Sequence, residues 1–318
     1  MTTMTPTAPP PAAASPASRL QATMAAVRVG FTWFGVRKTL TQSQKAQAAE
    51  TFGAEGQYLS AAKKLLDTRC QAFQAVTAVR NRIRAFWQGM SLPYPEPGMR
   101  LIRQDRVEQF NDQMTAFSQE LQDAARELDR QLPDLKQAAR ERLGDLYDPA
   151  DYPTSLDGLF AVEWDFPSVE PPQYLLELKP ELYEQERRRM TGRFEEAVKL
   201  AEETFAAELS KLVGHLVERL TGQEDGKPKT FRNSVVENLG EFFSRFRSLS
   251  VRSNAELETL VKTVQAAVKG VQPQQLRESE TLRSQISQKL SAVQSALDGL
   301  MIDRPRRKIL RPMLQESA

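Results

Sequence analysis

Apolar residues recur along one stretch at helical spacing: Met190, Phe194, Val198, Ala201, Phe205, Leu209, Leu212, Leu216 and Leu220. Their steps of four, four and three add to an eleven-residue repeat. That is about 3.67 residues per turn, so the stripe stays nearly straight along a helix. The pattern predicts one helix over residues 180–220, roughly 60 Å long. Its other faces carry Arg187, Arg188, Arg189, Glu195, Glu196, Lys199 and Glu202. A helix of this length with a single apolar face needs partners along all of it.

A second periodic stretch joins Val107, Phe110, Met114, Phe117, Leu121, Ala124 and Leu128 in alternating steps of three and four, a heptad pattern. Pro133 kinks or restarts that helix, which continues to about Tyr147. Strict alternation marks strands instead. Phe160, Val162, Trp164 and Phe166 alternate with Ala161, Glu163 and Asp165. Val27, Val29, Phe31 and Trp33 also alternate. The apolar set then shifts by one residue beside Gly30 and Gly35, as a bulge would shift it, so residues 27–38 read as one strand. Residues 99–103 read as a short third strand. Further helices are expected over residues 41–52, capped by Thr41, and over 57–88, 230–248, 255–269 and 274–301.

The fold expected is mainly α, an elongated array of long helices or coiled coils with a small antiparallel sheet of two or three strands. Its parts are a Pro- and Ala-rich disordered tail (1–18), the sheet with an inserted helical hairpin (19–172), the long helix with a C-terminal helical bundle (173–301), and a basic tail (302–318). Trp33 and Trp164 are the natural anchors of the sheet.

Composition changes this picture little. The chain has 318 residues, 40% hydrophobic and 26% charged, which suits a folded protein rather than a disordered one. A net charge of +2 selects no nucleic-acid or membrane partner by itself. Cys70 is the only cysteine, so neither an intramolecular disulfide nor a cysteine-based metal site is available, which fits a reducing cytoplasm. The first residues lack the charge and apolar run of a signal peptide, and no window approaches about 18 uninterrupted apolar residues. A cytoplasmic protein without a membrane anchor is expected.

Catalytic chemistry finds little to work with. His215 is the only histidine, so any Ser–His–Asp, Cys–His or histidine–metal site would depend on it. A histidine on a helix surface or packed against neighbours is the simpler reading. Gly222 to Lys227 looks like a phosphate loop, but it is one residue short, carries Glu224 and Asp225, and has Pro228 where Ser or Thr would bind magnesium. Asp148, Asp151, Asp157, Glu163 and Asp165 do not follow calcium-loop spacing and read as loop caps and solvated acids. No cofactor, metal site or enzymatic activity is expected. Two basic groups remain: Arg80, Arg82 and Arg84, and the tail residues Arg304, Arg306, Arg307, Lys308 and Arg311. The tail cluster is the candidate nucleic-acid contact, although no aromatic residues interleave it as a single-strand platform would require.

The run Phe31-Thr-Trp-Phe-Gly-Val-Arg-Lys, the run Phe160-Ala-Val-Glu-Trp-Asp-Phe-Pro and the long helix after them resemble an uncharacterised protein family of phages, plasmids and bacterial chromosomes. Some members of that family are encoded near a MoxR-type AAA+ ATPase. The resemblance spans most of residues 27–300 in layout. It implies no activity or site, but it does imply a non-enzymatic partner of an ATPase machine. The function expected is a structural or adaptor protein that self-associates through coiled-coil surfaces, with Phe205, Leu209, Leu212 and Leu216 as the partner-binding residues. The alternative is a nucleic-acid-associated protein that uses the basic tail and the exposed arginines.

Overall fold

The computed structural model describes residues 14–221, 223–224, 227–228, 234–271 and 273–302. The protein is mainly α. In chain order it forms α1 (Pro16–Thr23), β1 (Met24–Trp33), β2 (Arg37–Thr39), α2 (Gln42–Glu50), β3 (Ala62–Lys64), α3 (Gln71–Met90), β4 (Ser91–Pro93) and β5 (Met99–Arg103). Then come α4 (Val107–Arg130), α5 (Leu132–Leu143), β6 (Phe160–Asp165), α6 (Tyr174–Leu178) and α7 (Pro180–Thr221). The last elements are β7 (Gln223–Glu224), β8 (Lys227–Pro228), α8 (Ser234–Leu249), α9 (Ala255–Val268), α10 (Pro273–Glu278) and α11 (Glu280–Ile302). The chain divides into two compact units: unit 1, residues 1–24, 92–97 and 169–318, and unit 2, residues 25–91 and 98–168.

Unit 2 is built on a sheet in which β5, β1 and β6 neighbour one another in that order. β1 and β6 pair antiparallel, with Val29 opposite Trp164, Phe31 opposite Val162 and Trp33 opposite Phe160. Directly opposed residues share a face, so both alternating apolar sets lie on one side of the sheet. Trp33 meets Phe160 edge-on at 4.8 Å between ring centroids. Trp164 packs half-buried against the core and donates its indole N–H to Asn111 Oδ1 at 3.1 Å. Helices α3 and α4 pack together. Val76, Val79 and Ile83 from one and Phe110, Met114 and Leu121 from the other fill the core, with Phe86 stacked on Phe110. The heptad helix is thus matched by α3 within the same unit.

The structure departs from the sequence reading in three places. Residues 27–38 are not one bulged strand. β1 ends at Trp33, opposite Phe160, where β6 itself begins. The chain therefore runs out of partner, and Arg37–Thr39 pairs instead with Ala62–Lys64 in a separate two-stranded sheet. That sheet also removes the first part of the helix expected over 57–88, and α3 starts only at Gln71, after Cys70 as its N-cap. Pro16 begins a helix rather than forbidding one. Proline suits the first helical position because its missing N–H has no partner there, and the Ser15 side chain caps the Ser18 N–H. Residues 1–13 of the expected tail lie outside the described residues.

Unit 1 is organised on α7, a single helix of 42 residues. α1, α8, α9 and α11 all pack against it, and α9 also packs on α11. The buried stripe runs through Phe194, Val198, Ala201, Phe205, Leu209, Val213, Leu216 and Leu220. Phe205 meets Phe242 and Phe246 of α8 at 6.1 and 5.0 Å, and Ile286, Leu290, Val293 and Leu297 of α11 are buried. Gly214 lets α11 come close, since a Cβ there would sit 3.1 Å from Gln294 Nε2. Asn254 caps α9 by accepting from the Leu257 N–H at 2.9 Å, as a residue before an apolar periodic run should.

Candidate functional site

The four residues expected to bind a partner do not form a free face. Phe205, Leu209 and Leu216 are buried inside unit 1, and Leu212 is half-buried. Their apolar surface is matched by α8 and α11 of the same chain. The uncovered part of α7 lies at its other end. No residue from 180 to 193 is buried, and burial begins at Phe194.

Apolar side chains concentrate just before and within this uncovered part. Tyr174 is 60% exposed, Leu176 51%, Leu178 77% and Leu182 37%. They sit on α6 and the first turn of α7, in a stretch set off by Pro171 and Pro172 on one side and broken by Pro180. α6 is too short to bury its own apolar residues, and the residue after it, Lys179, leaves helical geometry at φ −156° and ψ 89°. That break turns the chain into α7. Around the patch, Glu177, Lys179 and Glu181 are exposed, so its rim carries both signs of charge. Further along α7, Arg187 pairs with Glu184 at 2.7 Å and Arg189 with Glu186 at 3.4 Å. The arginine run is satisfied within its own helix, as its spacing implies.

The arginines of α3 have three different partners. Arg82 is paired with Glu120. Arg80 lies over the Trp33 ring, its guanidinium carbon 4.0 Å from the ring centroid, and Arg84 lies over Phe31 at 5.3 Å. Burial, followed by the neighbouring Arg84 charge, makes the Arg80 guanidinium less basic than usual. The tail residues Arg304, Arg306, Arg307, Lys308 and Arg311 lie outside the described residues, as do parts of the Gly222–Lys227 loop.

The acidic residues also separate by role. Asp148 caps the Ala150 N–H at 2.9 Å, and Asp165 forms a two-pronged pair with Arg28, its partner in the β1–β6 register. Asp151 is different. Its side chain is 1% exposed and takes Lys38 and Lys63, with Lys63 Nζ 2.5 Å from Oδ2. Lys63 is itself only 6% exposed and also donates to the Leu146 carbonyl at 2.6 Å. The Lys38 hydrogen bond, then that of Lys63, holds the Asp151 carboxyl below the usual carboxylate range. This trio clamps the β2–β3 sheet to the turn around residue 151. Sequence reading missed it because Lys63 fell inside an expected helix. His215 is exposed on α7, with Arg219 Nε donating to its Nε2 at 3.4 Å. Among the described residues, no group of three or more His, Cys, Asp or Glu side chains is placed to hold a metal ion. Among the same residues, no helix is long and apolar enough to cross a membrane.

No family model, curated protein or solved structure matches the chain.

Proposed function

We propose that the chain is a non-enzymatic structural or adaptor protein that self-associates through coiled-coil-like helix surfaces, with the contact surface on α6 and the first turns of α7. One observation carries this reading: Tyr174, Leu176, Leu178 and Leu182 are all exposed within nine residues of chain, next to a stretch of α7, residues 180–193, in which no residue is buried. Monomers seldom leave large apolar side chains clustered in water, and such a cluster with a polar rim marks an interaction site.

A second copy of the chain is the partner the patch fits. Its rim carries Glu177 and Glu181 beside Lys179, so two copies related by a two-fold axis can set unlike charges opposite each other around an apolar centre. The AAA+ ATPase implied by the family resemblance is the competing partner.

The double variant Leu176→Glu/Leu178→Glu tests the assignment. Both side chains are exposed, so its melting temperature should stay within a few degrees of the parent's, as surface changes usually leave it. On size-exclusion chromatography it should elute later than the parent, at the monomer position. Parent and variant eluting together would remove this surface from the interface. If both elute as monomers, the AAA+ ATPase becomes the partner to test.

A further inference from the structure

A groove of about 730 Å³ runs in unit 2 between α3 and residues 33–37, lined by none of the residues of α6 or α7. Its apolar walls include Trp33 and Phe34. Its polar groups include Arg37 and Arg80, with Gln74 and Asn81 beside them on α3. No acidic residue lines it. We propose that this groove binds a small organic anion, with a carboxylate or phosphate head held by Arg80 and Arg37 and a flat apolar body against Trp33 and Phe34.

Size decides against a large partner, because about 300–1,000 Å³ is the range of small-ligand pockets. Charge decides the head group. Among the described residues Arg80 has no hydrogen bond or ion pair, and its Nε is buried without a partner. Three other arginines of unit 2 are paired with acids: Arg82 with Glu120, Arg142 with Asp67, and Arg28 with Asp165. Arg80 instead lies over the Trp33 ring, its Cζ 4.0 Å from the centroid, and the like charge of Arg84 lies next to it. An unpaired guanidinium fixed by stacking is pre-oriented to take a carboxylate or phosphate on its two-pronged edge, with little side-chain freedom left to lose. Arg37 is exposed on the facing strand and adds a second cation with no acid to quench it. Gln74 and Asn81 supply neutral donors without selecting against an anion.

Phenyl phosphate is a suitable probe, with inorganic phosphate and phenol as its two halves. Titration should move the Trp33 indole N–H resonance saturably with phenyl phosphate, and each half should bind more weakly. Arg80→Met keeps the stem over Trp33 and removes the charge. It should weaken binding about tenfold or more, the usual loss for a charged hydrogen bond. Arg37→Ala changes an exposed side chain, leaves the Arg80–Trp33 stack in place, and should weaken binding in the same direction. Arg82→Ala, whose arginine does not line the groove, should bind like the parent. The proposal fails if phenyl phosphate produces no saturable shift at millimolar concentration. It also fails if Arg37→Ala binds as the parent does, or if Arg82→Ala loses as much as Arg80→Met.

Discussion

Leu209→Glu is expected to abolish the cooperative folding of unit 1, not to release a smaller folded species. Leu209 is fully buried in the middle of α7, in a stripe matched by α8 and α11. Truncating such a leucine to alanine costs about 2–5 kcal/mol. A carboxylate there adds a desolvation cost of several kcal/mol. The sum is comparable with the whole stability of an ordinary domain, about 5–15 kcal/mol. Circular dichroism should therefore show loss of much of the helical signal. Leu209→Ala should remain folded and melt earlier. A Leu209→Glu protein that keeps its helices and falls in mass would mean that this face meets another chain.

The second large effect is expected in unit 2. Asp151→Ala should cost about 3–5 kcal/mol, because it leaves the buried Lys63 ammonium with only the Leu146 carbonyl. Lys38 is 55% exposed and returns to water at little cost. Replacing both buried partners, Lys63→Met with Asp151→Leu, should recover most of the loss, since the penalty lies in the orphaned charge and not in the absence of the pair. The three tryptophans, Trp33, Trp87 and Trp164, all lie in unit 2, so urea unfolding followed by their emission reads the effect there. The same pair sets a pH dependence. The Asp151 carboxyl is held below its unfolded value, so its stabilisation is fully present above the ordinary carboxylate range, about pH 4, and is lost as pH falls below it. Asp67 acts in the same direction, held down by Arg69 and then Arg142. Both contributions should shrink together in an acid titration, and the Asp151→Ala protein should lose less stability on acidification than the parent. An equal loss in the two proteins would show that Asp151 is not part of the acid response.

Long elements were legible because their periodicity repeats many times. The eleven-residue stripe marked α7, the heptad steps marked α4, and the alternation from Phe160 marked β6. Short elements were not. β2 and β3 have three residues each, too few for any period to declare itself, so Ala62–Lys64 passed for part of the helix expected over 57–88. What sequence could not show is who covers whom. The α7 stripe reads the same whether its partner is α11 of the same chain or another copy, and only tertiary packing places Phe205, Leu209 and Leu216 inside. The exposed patch had a local signal, Tyr174-Leu-Leu-Glu-Leu between prolines, but it was absorbed into the approach to the long helix. Arg80 over Trp33 joins residues 47 positions apart, and Lys63 with Asp151 joins residues 88 apart, so neither is visible to local spacing.

The central claim is that the patch on α6 and the start of α7 joins copies of this chain. Light scattering on the unmodified protein over a dilution series tests it most directly. The mass should exceed that of one chain at tens of micromolar and fall toward one chain on dilution. A mass of one chain throughout the series would contradict it.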